Sequence, residues 1–349
     1  MHERLQVGIV GLGTMGRIHA TNLVAGFPNA SLYAVADPQI VAIEQAGLMQ
    51  LPAAVKRCVD YRELLTMDLD AVLIASATAT HERVLGEAIA AGMPIFCEKP
   101  LAMDLAEAVR LHHAIEERQL PVQVGFMRRF DPLYQRAKQL IENGHIGTPY
   151  HFWGQSRDQV APSLDVARYS GGLCVDTGVH EFDVARWLLD DEIISVFAQG
   201  GLFVSRELAE IGDVDQVDIS FRTQSGRLGL AELSRNAVYG YDIRAEILGE
   251  RGAVQVVSGH RTGTVLMVEN EIIGDTYHTY AERFEKAYRN ELQAFFEAIG
   301  TGARCSVTSA DAVRAQAAAM AAERSLKSGS VEAVSFAEAI PNSWRHDDV

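Results

Sequence analysis

Three side chains in this sequence have the types and settings required for acid–base chemistry at a hydroxyl group. Lys99 stands in "CEKPLA", directly after an apolar run, and Asp176 and His180 stand four residues apart in "GGLCVDTGVHEFD". An imidazole ordinarily titrates near neutrality, so His180 can accept a hydroxyl proton. The cationic Lys99 can stabilise a developing alkoxide and orient the hydroxyl group. Together they predict the oxidation of an alcohol.

Other interpretations of these residues remain open. If a helix begins near Thr177, then Asp176 and His180 share one face, and Asp183 lies three residues beyond His180. An aspartate and a histidine at helical spacing can also bind zinc. No third ligand stands at a telling distance, and we therefore predict no metal. A histidine that only caps the helix is a further alternative for His180, and a solvated surface charge is one for Lys99.

The segment "GIVGLGTMG" predicts a turn that binds a dinucleotide. Gly11, Gly13 and Gly16 follow an apolar strand and open a helix that we expect from about Met15 to Ala25. In such a turn the first glycine permits the tight bend, the second lets a pyrophosphate approach the backbone, and the third lets helix and strand pack closely. The pyrophosphate then lies at the helix N-terminus.

The second predicted strand, "SLYAVAD", ends at Asp37, which lies 21 residues after Gly16. At about 20 residues, a carboxylate is expected to accept hydrogen bonds from the adenosine ribose. No lysine or arginine follows in "DPQIVAIEQAG" to hold a 2′-phosphate. The position therefore favours NAD over NADP; a turn or cap aspartate before Pro38 is the alternative.

Two further motifs follow predicted strands, at the edge of the sheet where ligands bind in open parallel sheets. They are "ASATATHERV", whose alternative is a simple helix cap, and "CEKPLA", in which Pro100 restricts the backbone of Lys99. The predicted cofactor-binding residues are Gly11, Gly13, Thr14, Met15, Gly16, Asp37, Ser76, Ala77, Thr78, His81, Glu98 and Lys99.

The elements that must position these residues fall into two regions. Strand and helix patterns alternate up to Phe126, which predicts a parallel sheet. After it come successive strands separated by glycine-containing turns, which predict an antiparallel sheet. We thus predict an α/β Rossmann domain over residues 1–126. An α+β domain with a large open, mostly antiparallel sheet follows over residues 127–349.

Composition excludes some classes of partner. The chain has 31 Lys and Arg against 46 Asp and Glu, a formal charge of -15, which disfavours nucleic acid. No apolar stretch approaches a membrane span, and the N-terminus lacks a signal-peptide pattern. The four cysteines are scattered, which is typical of reduced thiols. We therefore expect a cytoplasmic protein.

Taken in order, these motifs resemble the glucose–fructose oxidoreductase and inositol dehydrogenase (Gfo/Idh/MocA) family. The segments that carry the resemblance are "GIVGLGTMGRIHA", "AVADP", "CEKPLA", "VGFMRRFDP", "SGGLCVDTGVHEFDVARWLL" and "RFEKAYRNELQAFFEAI". The resemblance implies His180 as general base, Lys99 as proton relay and orienting group, and Asp176 as a partner of a substrate hydroxyl. It also implies a homo-oligomer, either a dimer or a tetramer.

Within that family, "GFMRRFDP" and "YGYDIRAEILG" look most like inositol 2-dehydrogenases. This similarity implies that Met127, Arg128 and Tyr241 line the substrate pocket, while "QSRD", which ends at Asp158, supplies further polar contacts. Salt bridges and sheet packing are the alternatives for Arg128 and Tyr241.

We therefore predict the NAD-dependent oxidation of a secondary alcohol on a cyclic polyol such as myo-inositol. One alternative is an NAD(P)-dependent dehydrogenase or reductase of another sugar or anhydrosugar. A non-catalytic protein that senses NADH is the other.

Overall fold

The computed structural model describes residues 4–335, which form two compact units. Residues 4–127 and 286–313 make up the first unit, and residues 128–285 and 314–335 make up the second. The first unit therefore includes a late segment that lies beyond the predicted division at residue 126. Within the described residues, no helix is both long and apolar enough to cross a bilayer.

The first unit contains a six-stranded parallel sheet with the strand order β3-β2-β1-β4-β5-β6. This is the strand order of a dinucleotide-binding Rossmann sheet, which confirms the predicted fold of this region. The strands are β1 (Leu5–Val10), β2 (Ala30–Ala36), β3 (Lys56–Cys58), β4 (Ala71–Ile74), β5 (Ile95–Cys97) and β6 (Val122–Val124). The helices between them are α1 (Thr14–Ala25), α2 (Ile40–Gln45), α3 (Tyr61–Leu65), α4 (Thr78–Ala91) and α5 (Leu105–Arg118).

The second unit contains a seven-stranded sheet with the order β12-β11-β7-β10-β9-β8-β15. Its strands pair antiparallel except for β7 with β10, so the prediction of a mostly antiparallel sheet is confirmed. From β7 onward the strands are Pro149–Arg157, Ile193–Gly201 (β8), Gln216–Thr223 (β9), Leu228–Ser234 (β10), Asp242–Gly249 (β11), Gly252–Val256 (β12), Val265–Val268 (β13), Glu271–Gly274 (β14) and Glu332–Ala333 (β15). β13 and β14 pair as a separate hairpin.

The remaining helices are α6 (Pro132–Glu142), α7 (Leu164–Ala167), α8 (Val179–Leu189), α9 (Tyr280–Arg283), α10 (Glu285–Thr301) and α11 (Ser309–Ser328). α10 belongs to the first unit because its apolar face completes that unit's core. Leu292, Phe295 and Phe296 are fully buried in one hydrophobic cluster with Val7 and Ile9 of β1. An amphipathic sequence predicts such a helix, but it does not say which sheet the helix covers.

α8 is unusual because charged side chains are buried on it. His180, Glu181, Asp183 and Arg186 are all buried, alongside apolar residues on every face. Since a buried charge needs a partner, this helix must be surrounded by ion pairs and hydrogen bonds.

Candidate active site

The glycine turn between β1 and α1 has the geometry that an anion seat requires. Gly11 has φ +92°, and a Cβ there would lie 2.4 Å from the Cα of Ser76, so no larger residue fits. A Cβ on Gly16 would lie 1.9 Å from the carbonyl oxygen of Gly11. Gly13, the N-cap of α1, faces open space: a Cβ there would have no heavy atom within 4 Å, and no side chain caps the helix. The first-turn N–H groups of α1 are thus left for an anion.

Asp37 lies at the same edge of the sheet, directly after the end of β2. Its Oδ2 accepts a 2.7 Å hydrogen bond from the backbone N–H of Leu12, and its Oδ1 accepts one of 2.7 Å from Gln39. The turn role considered for Asp37 is therefore present. Each carboxylate oxygen has a second lone pair, so this role leaves acceptor capacity for ribose hydroxyl groups.

The segment after β4 is held by short-range hydrogen bonds. The Ser76 hydroxyl lies 2.7 Å from the Thr80 hydroxyl, and α4 begins directly after Ala77. His81 is buried at 1% exposure, with Nδ1 2.8 Å from the carbonyl oxygen of Pro100 and Nε2 3.0 Å from that of Ser76. Burial lowers the pKa of His81, so the neutral ring donates to only one of these oxygens. The structure places this predicted cofactor residue inside the unit, where it links the end of β4 to the turn after Lys99.

Glu98 and Lys99 follow β5 at the same edge but differ in exposure. Lys99 is half-buried and precedes a cis peptide bond to Pro100. Glu98 is buried, and its Oε1 lies 2.7 Å from Nε2 of His19 on α1. The Glu98 carboxylate, predicted to bind cofactor, is therefore engaged inside the unit.

In the second unit, Asp176 lies in a π-helical turn, Cys174–Gly178, which runs into α8. The sequence suggested an α-helix from about Thr177 and hence an i, i+4 pair, whereas the π turn here has the wider i, i+5 hydrogen-bonding pitch. Such turns are frequent at functional sites. Asp176 keeps 39% of its side chain exposed, and Nη2 of the buried Arg235 lies 4.0 Å from its carboxylate. Sequence reasoning missed this cation, because it stands 59 residues later at the end of β10.

His180 is the second residue of α8, and two residues that follow it along the helix form buried ion pairs. The Arg128 guanidinium, at 1% exposure, donates to Glu181 and, at 2.8 Å, to the hydroxyl of Ser156. Arg129 donates two hydrogen bonds of 2.9 and 2.6 Å to the carboxylate of Asp183. These pairs fix the rotation of α8, and they occupy Arg128, which was predicted to contact substrate.

The other predicted substrate residues lie at three places. Tyr241 directly precedes β11 and is 7% exposed, and its ring meets those of Tyr280 and Phe284 edge-on. Burial raises the pKa of Tyr241, so its hydroxyl stays protonated. Asp158 directly follows β7 and is half-buried, and Met127 is a buried residue that opens a 3-10 turn.

Comparisons with known proteins agree with this architecture. The profile "Oxidoreductase family, NAD-binding Rossmann fold" matches residues 5–126, and "GFO/IDH/MocA C-terminal domain" matches residues 134–255. A myo-inositol 2-dehydrogenase of Thermotoga maritima is 36% identical over 93% of this chain and 96% of that protein. A scyllo-inositol 2-dehydrogenase (NAD(+)) of Bacillus subtilis is 36% identical over 94% and 96%. The crystal structure of scyllo-inositol dehydrogenase from Lactobacillus casei with bound NAD(H) and scyllo-inositol superposes with a TM-score of 0.88, at 29% identity over 95% of this chain and 99% of that one.

Proposed function

The chain belongs to the GFO/IDH/MocA family of oxidoreductases, and from this premise we propose that it catalyses the NAD-dependent oxidation of a secondary hydroxyl group of an inositol. One observation carries the proposal. Several relatives that match almost end to end are named inositol 2-dehydrogenases, and this chain has a lysine, an aspartate and a histidine that suit that chemistry.

The first unit fits a nicotinamide dinucleotide. The uncapped N-terminus of α1 and the open space at Gly13 suit a pyrophosphate, and the Asp37 carboxylate suits ribose hydroxyl groups while repelling a 2′-phosphate. When bound, NAD supplies the hydride acceptor of the reaction.

The second unit and Lys99 supply the acid–base chemistry in this proposal. His180 takes the proton of the substrate hydroxyl, and Lys99 orients that hydroxyl and stabilises the developing negative charge on its oxygen. Asp176 accepts a hydrogen bond from a substrate hydroxyl. Arg235, whose Nη2 lies 4.0 Å from the Asp176 carboxylate, places a positive charge beside it.

The remaining predicted substrate residues receive different roles. We assign Asp158 and Met127 to substrate contacts. Arg128 is buried and bonded to Glu181, which favours a positioning role beneath α8. The ring of Tyr241 is buried, so in this proposal only its protonated hydroxyl contacts the substrate.

A panel of inositol stereoisomers and aldoses, assayed with NAD and with NADP by absorbance of the reduced cofactor, tests the activity. We expect turnover of at least one inositol with NAD. Turnover of aldoses alone would favour the sugar dehydrogenase alternative, and NADH binding with no turnover of any substrate would favour the sensor.

The residue roles need matched variants. Lys99→Ala and His180→Ala should each lower kcat by about 10²- to 10⁴-fold, the usual contribution of a positioned acid–base group. Lys286→Ala and His145→Ala, which remove the same side chains from exposed positions, should leave it unchanged. Full activity in both site variants would remove the assigned roles.

We further propose that the protein is a cytoplasmic homo-oligomer. All four cysteines, which lie within the described residues, are free thiols, as expected in a reducing compartment. The β13–β14 hairpin exposes Met267 at 73% and Ile272 at 75%, together with Leu266 and Ile273, and such an apolar patch is typical of a surface that a second subunit covers. Light scattering after size-exclusion chromatography measures the mass directly, and a monomer would refute the assembly.

A further inference from the structure

The first unit contains a buried carboxyl group that the proposed chemistry does not use. Glu291 on α10 is fully buried, and neither of its carboxylate oxygens has a hydrogen-bond partner among residues 4–335. Its backbone carbonyl accepts a 2.7 Å hydrogen bond from Nε2 of Gln123 on β6, which fixes this turn of the helix against the sheet. A carboxylate oxygen of Glu291, one of Glu98 and a ring nitrogen of His19 all lie within 4.8 Å of one another.

The protons in this cluster can be assigned from burial and hydrogen bonding. Two buried carboxyl groups at this separation are not both ionised, because each charge raises the cost of the other. Burial, and then the charge of Glu98, raise the pKa of Glu291 well above its usual range, so Glu291 is the protonated member.

His19 contacts the cluster through one ring nitrogen. Its Nε2 lies 2.7 Å from Glu98, whereas its buried Nδ1 has no partner in the described structure. The Nε2–H of His19 is thus the donor to the Glu98 carboxylate.

A divalent cation fits this geometry less well. Two ligand atoms in a tetrahedral zinc site, each about 2.0–2.1 Å from the metal, are about 3.3 Å apart. The 2.7 Å between His19 and Glu98 is instead the length of a charge-assisted hydrogen bond.

We propose that Glu291 is a positioning residue for Lys99: its polar carboxyl group lies beside Glu98 without adding a second buried charge, so that Glu98 keeps its bond to His19, and this bond fixes the backbone that carries Lys99. Glu98 directly precedes Lys99 in the chain, and its carboxylate packs so closely that a Cβ on Gly125 would lie 2.8 Å from Oε2. The positioning role rests on the function proposed for Lys99, whereas the proton assignment does not.

Infrared spectroscopy of the protein without added cofactor tests the proton assignment. At pH 7 we expect a carboxylic-acid C=O band that disappears in Glu291→Gln and persists in Glu297→Gln, the same change at an exposed position of the same helix. If the difference spectrum of wild type and Glu291→Gln lacks this band, the assignment is overturned. A stoichiometric metal ion in the purified protein, detected by mass spectrometry and removed by a chelator, would overturn it in favour of a metal site.

Kinetics test the positioning role. Glu291→Gln keeps a neutral polar group beside the buried Glu98 carboxylate and should retain kcat within about threefold. Glu291→Leu replaces that polar group with an apolar one and should lower kcat about tenfold at an unchanged Kd for NADH, because small misplacements of catalytic groups are costly. In a Lys99→Ala background the leucine variant should have no further effect. An equal loss in that background, or full activity of Glu291→Leu, would refute the role. Full activity of Lys99→Ala itself would instead refute the proposed function, and the infrared result would still decide the proton assignment.

Discussion

Gly13→Ala separates cofactor binding from folding more sharply than any other single change in the glycine turn. Gly13 has φ −60° and ψ −165°, which alanine adopts without strain, and no heavy atom lies within 4 Å of the added Cβ. The methyl group therefore extends into the space that the pyrophosphate must approach.

The expected magnitudes follow from these contacts. Alanine is a poorer N-cap than glycine by about 0.5–1 kcal/mol, but it restricts the unfolded chain by about 0.4–1 kcal/mol. The free energy of unfolding should thus change by less than about 0.5 kcal/mol. Losing one hydrogen bond from a backbone N–H to a charged phosphate costs about 1.5–3 kcal/mol, so the Kd for NADH should rise about 10- to 150-fold.

Fluorescence titration with NADH and thermal unfolding of the same preparations measure both quantities. Gly16→Ala is the matched control, because its Cβ would lie 1.9 Å from the carbonyl oxygen of Gly11 and must displace backbone. It should destabilise the protein by about 1–3 kcal/mol or more. A folded Gly13→Ala protein that binds NADH as tightly as wild type would show that the pyrophosphate does not lie on this turn.

Three further predictions concern specificity and stability. Asp37→Ala should lower the preference for NAD over NADP, measured as the ratio of kcat/KM values, by at least about tenfold, since it removes a carboxylate that accepts ribose hydroxyls and repels a phosphate; a wild type that prefers NADP would contradict the assignment. Asp183→Asn should reduce the free energy of unfolding in urea by about 3–5 kcal/mol because it removes the carboxylate charge to which the buried Arg129 donates two hydrogen bonds, whereas Asp218→Asn at an exposed site of β9 should have little effect. Glu291 faces His19 and Glu98, and its pKa is raised. The native protein therefore keeps a proton that the unfolded chain loses near pH 4.5. Above that pH, this group lowers the free energy of unfolding by up to about 1.4 kcal/mol per pH unit. Glu291→Gln should therefore gain stability over wild type with increasing pH, and parallel stability curves would refute the shift.

The parts of the fold that sequence predicted are those encoded locally. The glycine turn, the strand that ends at Asp37 and the alternation in "QVDISFRT" each carry their full signal within about ten residues. β3, α2 and α3 were not predicted, because three to six residues are too few to show a hydrophobic period. The placement of α10 on the first sheet depends on contacts with β1, which no local pattern contains.

The sequence pointed to reactive residues for the candidate site, which stay predictions, but it did not point to the side chains that support them. Asp176 and His180 stand out by residue type, yet the π turn that contains Asp176 has no sequence signature that separates it from an α-helical turn. The partner of Glu181 lies 53 residues away at Arg128, and buried ion pairs at such separations are invisible to periodicity.

Both units hold the residue proposed to be reactive in the same way, and this explains why the supporting side chains were not predicted. A side chain that must meet a substrate cannot be fixed by packing on all sides, so its backbone has to be fixed by a neighbour. Glu98 does this beside Lys99, and Glu181 does it beside His180, each through a buried hydrogen bond to a basic side chain distant in sequence. The residues proposed to react can therefore be identified from their types and spacing in the sequence. The adjacent residues that hold them in place cannot, because their charged partners are distant in sequence and meet them only in the folded chain.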